Sequence, residues 1–145
     1  MSTRVVSARQ IMVSEWIDAF NRRDLHGMLT RLDRDVDFHP SDVSGTLRSY
    51  RGHEGVRVWF SELMRAPQPF LIHLSDVRDL GPESTLAAGS LGVPGEPDLG
   101  PFWALHHIRR GLIVSVHHYF TGHDLVDLLE SVRHRAGNAP RYATV

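Results

Sequence analysis

The fold is decided by one stretch, residues 15–40, which reads EWIDAFNRRDLHGMLTRLDRDVDFHP. Its beginning predicts an amphipathic helix, because apolar side chains recur at helical spacing. These side chains are Ile11, Trp16, Ile17 and Phe20. The motif NRRD at residues 21–24 ends that helix, and Asp24 is a suitable N-cap for a second helix over about residues 25–32.

The remainder of the chain predicts an α+β domain in which helices precede a strand-rich half. The predicted strands cover residues 36–39, 46–50, 70–80, 85–93, 102–109 and 112–120. A third helix over residues 54–64 is expected to bury Val56, Phe60, Leu63 and Met64. A short last helix over residues 124–133 precedes a flexible tail at 134–145. At 145 residues the chain is expected to be one domain, 1–145, with its core over about residues 7–133.

The composition excludes several kinds of chemistry. The chain has no cysteine, which excludes thiol nucleophiles, disulfides and thiolate metal sites. It has no lysine either, which excludes Schiff-base catalysis and a lysine general base. The formal net charge of -1 argues against a nucleic-acid partner, and no apolar run approaches the length of a membrane span. A cytoplasmic protein that needs no cofactor is therefore expected.

The register of the hairpin around Gly111 decides which histidines face the interior. A two-residue turn at Arg110-Gly111 would pair Ile108 with Ile113. A three-residue loop, with Gly111 in the left-handed conformation, would pair Ile108 with Leu112. We favour the three-residue loop because it collects one consistently apolar face. The residues of that face are Phe102, Ala104, His106, Ile108, Val114, Val116, His118 and Phe120.

Three segments together resemble the SnoaL-like and ketosteroid-isomerase-like superfamily, whose small domains are related to nuclear transport factor two. They are residues 15–40, the segment YRGHEGVR at 50–57 and the hairpin IRRGLI at 108–113. The resemblance extends over about residues 7–133. It implies a cone-shaped, highly curved sheet of about six strands packed on three N-terminal helices. The same fold serves isomerases, cyclases, hydrolases and non-catalytic binding domains, so the resemblance constrains the pocket more than the reaction.

The resemblance also implies roles for single residues. Where ketosteroid isomerases have the tyrosine of the first helix, this chain has Trp16. Where they have the aspartate that moves the proton, just before a proline, it has His39. Ala104 stands near the position of the oxyanion-binding aspartate, and Phe60 stands at that of a second tyrosine. Neither side chain can donate a hydrogen bond, so steroid isomerisation is not expected.

The sixth strand resembles that of SnoaL-type cyclases, whose general base is an aspartate where this sequence has His118. An imidazole titrates near neutral pH and can accept a proton next to a carbonyl group. We therefore predict His118 as the catalytic base and His39 as the second candidate. The alternative is structural: His39 would cap a strand end, and His118 would hydrogen-bond nearby hydroxyl groups or water.

A mostly apolar cavity is expected between the helices and the sheet. Its predicted substrate-binding side chains are Trp16, Phe20, Phe38, Phe60, Met64, Phe102, His106, Val116 and Phe120. Such a lining suits a small apolar ligand, for example a polyketide or a terpenoid, held by few hydrogen bonds. Two functions stay open: a proton-transfer enzyme of the isomerase, cyclase or hydratase type, and a non-catalytic ligand-binding or assembly domain. The same residues could also fill the core and leave no cavity.

Two further expectations concern metals and partner chains. In the favoured register His106 and His118 are roughly 13 Å apart along the strands, so no metal site is predicted. The same register points four large apolar side chains outward. They are Trp103, Leu105, Ile113 and Tyr119. An apolar stripe of this size predicts a homodimer through the outer face of the sheet.

Overall fold

The computed structural model describes residues 6–40, 49–65, 71–92 and 100–119. These residues form the predicted α+β fold, in which a curved, unclosed sheet of six strands packs against helices. The helices are α1 (Ala8–Asn21), α2 (Leu25–Leu29) and α3 (Gly52–Met64). The strands are β1 (Leu32–His39), β2 (Tyr50–Arg51), β3 (Leu71–Asp79), β4 (Ser84–Gly92), β5 (Gly100–Arg109) and β6 (Leu112–Tyr119). The helix predicted over 124–133 and the tail 134–145 lie outside the described residues.

The sheet has the strand order β2-β1-β6-β5-β4-β3. Neighbouring strands are antiparallel except for β1 and β6, which run parallel. Helix α3 packs on β1, and α1 packs on β3 and β4. The two helices therefore cover the same face of the sheet, and one main hydrophobic core lies between them and the strands.

Side-chain hydrogen bonds fix both ends of α1. Ser7 and Gln10 form a capping box, in which Ser7 Oγ accepts from the backbone of Gln10 at 3.1 Å and Gln10 Oε1 accepts from the backbone of Ser7 at 3.0 Å. At the other end, the Asn21 amide bonds both the N–H and the carbonyl oxygen of Ile72, each at 2.9 Å. Asn21 thereby attaches α1 to the edge strand β3.

Asp24 caps α2 as predicted, since its Oδ1 accepts from the backbone N–H of Gly27 at 3.0 Å. The glycine suits this position, because a Cβ there would lie 2.4 Å from Asp24 Oδ2. Helix α2 ends at Leu29, earlier than predicted. The backbone N–H of Ile113 donates to Arg31 O at 3.0 Å, so the chain is already bonded to β6 where the helix was expected to continue.

The turn between β5 and β6 differs from the favoured three-residue loop. Arg110 and Gly111 both have positive φ, 53° and 77°, and Ile108 pairs with Ile113. This is the two-residue turn, whose positive φ angles match the twist of the two strands. The preference for the three-residue loop was therefore wrong.

A bulge follows this turn and restores the predicted inner face. His107 pairs with Ser115, which leaves Val114 without an opposite residue on β5. A shift of one residue moves side chains to the other face of a sheet, and the extra residue reverses the shift that the shorter turn introduced. The residues that share the inner face beyond the bulge are Phe102, Ala104, His106, Val116 and His118.

Three predicted orientations are wrong. Ile11 is 49% exposed, because it lies nine residues from Phe20 and thus on the opposite side of α1. Met64 is 55% exposed, since it is the last residue of α3 and about 140° around that helix from Trp59. Ile113 is fully buried in the main core, because the two-residue turn places it opposite Ile108 on the inner face.

Candidate active site

A small cavity lies between α1, α3 and the inner face of the sheet. Its walls are Trp16, Ile17, Phe20, Trp59, Ile72, Phe102, Ala104 and His118. Its volume is about 10 Å³, enough for roughly one water molecule. Three predicted substrate-binding residues, Trp16, Phe20 and Phe102, therefore meet the predicted base His118 in one site. The predicted lining residue Phe120 lies outside the described residues.

Phe38 lies behind the cavity walls and supports them. It is fully buried, and its ring centroid is 6.2 Å from that of Trp16, 4.7 Å from that of Trp59 and 5.6 Å from that of His118. All three contacts are edge-to-face, which is a favourable geometry for aromatic pairs. Val116, also predicted to line the site, is likewise fully buried in the core and is not a wall residue.

A stacked pair of rings closes the helical side of the cavity. Phe20 of α1 and Trp59 of α3 have centroids 5.7 Å apart at an interplanar angle of 23°. The Arg23 guanidinium lies 4.6 Å from the centre of the Phe20 ring and donates to Phe20 O at 2.9 Å. Burial lowers the pKa of Arg23. Its φ of 57° is in the left-handed region, so the turn after α1 directs this side chain onto Phe20.

Trp59 is the wall residue that the sequence interpretation missed. Phe60 and Met64 were predicted for this wall, but Phe60 packs on the core beside the cavity and Met64 is exposed. The sequence does contain a pattern that indicates Trp59, namely the spacing of Val56, Trp59 and Leu63. These positions i, i+3 and i+7 lie on one face of a helix.

His118 presents its imidazole to the cavity from β6. The ring is edge-to-face with Phe38 at 5.6 Å and with Phe102 at 5.1 Å between centroids. Ala104 lies directly opposite on β5. Two aromatic edges and one small side chain therefore define the place that the imidazole occupies.

The imidazole of His118 is neutral at physiological pH. Burial lowers its pKa from 6.5 to about 3, and the positive charges that His106 and His117 can carry lower it to a smaller extent. The residue as a whole is partly exposed, but its ring is enclosed by aromatic side chains. This burial of the ring accounts for the lowered pKa. A neutral imidazole offers one N–H donor and one lone pair, so it can exchange a hydrogen bond or a proton with a ligand.

His106 lies on the same inner face and is completely buried. Its Nδ1 is 3.3 Å from Thr85 O, and its buried Nε2 meets no hydrogen-bond partner among the described residues. Burial is the largest cause that lowers its pKa, to about 4. His106 was predicted to bind substrate, but it is not one of the cavity walls. It lies one layer deeper in the core, beside Val116 on the neighbouring strand.

The two inner histidines are closer together than predicted. His106 pairs with Val116, two residues from His118, and such diagonal neighbours are roughly 7–8 Å apart. The predicted separation of about 13 Å was therefore wrong, because the bulge slides β6 along β5. In the parts of the chain that the structure describes, no group of three or more histidine, cysteine or acidic side chains is arranged to hold a metal ion.

His39 and His118 lie on opposite faces of the sheet. Phe38 pairs with Val116 on the inner face, and the next residue along, His39, pairs with His117. The rings of His39 and His117 stack at 4.3 Å with an interplanar angle of 16°. The two predicted bases therefore do not share a site, because successive side chains of a strand alternate between its faces.

The outer face of the sheet carries a smaller apolar cluster. Its members are Leu80, Leu86, Trp103, Leu105 and Tyr119. Leu105 is 1% exposed within a single chain, and Ile113 belongs to the main core instead. Of the four residues predicted to form a dimer surface, only Trp103 and Tyr119 are thus partly exposed among the described residues.

The described residues thus form a curved sheet covered by helices, with a small apolar cavity between them. The SnoaL-like domain family matches residues 13–116 of the chain. The chain belongs to this family. No curated protein matches it. Among the described residues, no helix combines the length and the apolar character needed to cross a membrane.

Solved structures share this fold at low sequence identity. An NTF2-like protein of unknown function from Burkholderia pseudomallei K96243 is 20% identical with a TM-score of 0.68, over 85% of this chain and 98% of that one. TerC, co-crystallised with polyporic acid, is 17% identical with a TM-score of 0.68, over 86% and 99%. A candidate ketosteroid isomerase from Kribbella flavida DSM 17836 is 14% identical with a TM-score of 0.63, over 79% and 78%. At these identities the likeness establishes the fold alone.

Proposed function

We propose that this chain is an enzyme that transfers a proton on a small apolar ligand, with His118 as the proton acceptor. The observation that carries the proposal is the position of His118, the one ionisable side chain among the eight described wall residues. A ligand in contact with the other walls would place its own polar group near the imidazole. Proton transfer requires that kind of direct approach between acceptor and reacting group.

The walls favour a flat, conjugated ligand. Four of them are aromatic, Trp16, Phe20, Trp59 and Phe102, and aromatic rings bind other rings by stacking and edge contacts. Two structural relatives point in the same direction. TerC was co-crystallised with polyporic acid, and the Kribbella flavida protein is a candidate ketosteroid isomerase.

The low pKa of His118 limits the substrates that this base can serve. With a pKa of about 3, the imidazole keeps its lone pair throughout the physiological range. Such a weak base abstracts a proton efficiently only if carbonyl groups of the substrate itself make that proton acidic. We infer that the substrate has a C–H between two carbonyl groups, or an enolic O–H conjugated with a carbonyl group.

A ligand of this kind has to displace side chains to enter. The present cavity of about 10 Å³ is far below the size of ordinary ligand pockets, which enclose roughly 300–1,000 Å³. Among the aromatic walls, Trp16, Phe20 and Phe102 are buried at 1–3% exposure, whereas Trp59 is half-buried. Trp59 is therefore the wall that moves with the least loss of packing, and we place ligand entry beside it.

Intrinsic fluorescence tests the binding step. The chain has three tryptophans, of which Trp16 and Trp59 line the cavity and Trp103 belongs to the outer cluster. In a Trp103→Phe background, aromatic 1,3-diketones and hydroxyquinones, polyporic acid included, are expected to change the remaining fluorescence saturably. If none of these compounds does so, the proposed binding site is wrong.

Hydrogen exchange tests the chemical step. Each bound compound that carries a C–H between two carbonyl groups is incubated with the protein in deuterated water, and loss of that C–H signal is followed by NMR. His118→Asn is expected to slow the catalysed exchange roughly a hundredfold or more and to change the dissociation constant little. The matched control is His26→Asn, because His26 is exposed on α2. Unchanged exchange in His118→Asn would show that this residue is not the base.

A non-catalytic ligand-binding domain is the second candidate. The observation that favours it is the same pKa of about 3, since a strongly desolvated imidazole is a better hydrogen-bond partner than a base. Among the described wall residues there is also no second ionisable group to pass the proton on. Saturable binding without C–H exchange for every bound 1,3-diketone would select this function.

A further inference from the structure

We propose that Ser49 is a nucleophilic serine that accepts acyl groups from activated esters, with His39 as its base and Asp37 as the group that orients His39. Ser49 Oγ lies 2.8 Å from His39 Nδ1. On the other side of the ring, His39 Nε2 lies 3.4 Å from Asp37 Oδ1. The imidazole therefore lies between the Ser49 hydroxyl and the Asp37 carboxylate.

The sheet brings these residues together from two strands. Asp37 and His39 are two residues apart on β1 and so lie on the same face. Strand β2 runs antiparallel to β1 with Tyr50 opposite Phe38, which sets Ser49, the residue before Tyr50, beside His39. The site is on the outer face, across the sheet from the cavity, and is therefore independent of the proposed function.

The proposed proton transfer requires one tautomer of His39. In that tautomer the Ser49 hydroxyl donates to Nδ1, and the ring proton is on Nε2, the nitrogen that lies 3.4 Å from Asp37 Oδ1. This is the division of roles in serine nucleophiles: the base accepts the hydroxyl proton, and the carboxylate stabilises the imidazolium that forms. The stacked ring of His117, 4.3 Å away, supports the plane of the imidazole in this orientation.

A reagent can reach the nucleophile. Ser49 is exposed, and the side chains of His39 and Asp37 are 28% and 51% exposed. The reacting carbonyl group therefore approaches Ser49 from the solvent side.

The proposed step balances within these groups and the ester. Ser49 Oγ forms a bond to the acyl carbon as its proton passes to His39 Nδ1. The tetrahedral intermediate then expels the alcohol or phenol oxygen, which takes the proton from His39. The products are acyl-Ser49 and the free alcohol or phenol. Attack by water, with His39 again as the base, releases the acid and restores the serine.

Acetylation by p-nitrophenyl acetate tests the proposal. The protein is treated for short times, and the acetylated positions are located and quantified by peptide mass spectrometry. Ser61 is the internal comparator, because it is exposed on α3. Ser49 is expected to be acetylated at least about tenfold faster than Ser61, since a positioned general base accelerates proton removal.

Variants assign the roles. Ser49→Ala should abolish acetylation at position 49. Both His39→Asn and His39→Gln should lower the rate of Ser49 acetylation to that of Ser61. Asp37→Asn should lower it less, and His26→Asn should leave it unchanged, with folding of every variant checked by circular dichroism. Equal rates for Ser49 and Ser61, wild-type acetylation in both His39 variants, or an acetyl group on an imidazole nitrogen instead of Ser49 would each overturn the proposal.

Discussion

Ala104 lies directly opposite His118 in the antiparallel pair β5–β6, and both residues are walls of the same cavity. A larger side chain at 104 would occupy the space into which the imidazole points. Phe102, two residues along β5, meets the same imidazole edge-to-face at 5.1 Å. The alternation of large and small residues on β5 therefore sets both the cavity and the position of its histidine.

Replacing Ala104 by valine should close the cavity. Because the added methyl groups enter a space of about 10 Å³, we expect overpacking to destabilise the fold by about 1–3 kcal/mol and the ligand-induced fluorescence change to disappear. Urea unfolding and the fluorescence titration measure the two effects. Ala88→Val is the control, since Ala88 pairs with Trp103 on the outer face. If Ala104→Val binds ligands as the parent does, the cavity is not the binding site.

Stability should fall on acidification because of the two inner histidines. Their pKa values are about 4 for His106 and about 3 for His118 when folded, against 6.5 ordinarily. Between pH 6.5 and about 3 the unfolded chain thus binds protons that the folded chain excludes, so the free energy of unfolding decreases as pH falls through this window. The full effect is on the order of several kcal/mol.

Urea unfolding from pH 4 to pH 8 checks this dependence. His118→Asn and His106→Gln should each flatten the curve, because neither replacement titrates in the window. His26→Asn, at an exposed position, should leave the slope as it is in the parent. Parallel curves for the parent and both inner variants would contradict the assignment.

Trp59→Leu should enlarge the cavity and relax ligand selection. Removal of the indole takes away one wall and its stack with Phe20, at a cost of roughly 2 kcal/mol in the free energy of unfolding. Larger aromatic ligands should then bind more tightly than they do to the parent, as measured in the Trp103→Phe background. Phe60→Leu, which changes a side chain outside the walls, should lower stability without altering the order of ligand affinities.

Arg110→Asn should stabilise the chain. Both central residues of the turn have positive φ, a conformation that asparagine adopts more readily than arginine. We expect a gain of about 0.5 kcal/mol in urea unfolding, and a loss of about 1 kcal/mol for Gly111→Ala. In a three-residue loop Arg110 would not need positive φ, so a destabilising Arg110→Asn would favour that loop.

A homodimer through the outer face of the sheet stays a prediction. The apolar surface available for it is smaller than the sequence predicted, because Leu105 and Ile113 are buried within the chain. Trp103 and Tyr119 are its partly exposed apolar members, next to the buried Leu105. Sedimentation at tens of micromolar, roughly the range that reveals weak interfaces, should show a dimer that Trp103→Arg dissociates. Val58→Arg, at a 55% exposed position on α3, is the control, and a monomeric parent would disprove the dimer.

The sequence by itself determined the fold and four of the eight cavity walls, Trp16, Phe20, Phe102 and His118. Two of the signals are local: the helical spacing of Trp16, Ile17 and Phe20, and the cap at Asp24. They can be seen in the sequence because helix faces and capping bonds depend only on neighbouring residues. They located the N-terminal helices and, with the hairpin and the segment at 50–57, indicated the family. His118 and Phe102 were also placed correctly on the inner face.

The tertiary structure decided which residues share a site. The bulge at Val114 reverses the one-residue shift in register that the two-residue turn introduces. No local sequence pattern predicts this bulge, because it depends on how β6 pairs with β5. The parallel pairing of β1 with β6 sends His39 to the outer face beside His117, where Ser49 and Asp37 become its partners. Trp59 lines the cavity because α3 packs on β1 with that side inward. Contacts between segments distant in sequence set these three outcomes, and only the packed chain brings such segments together.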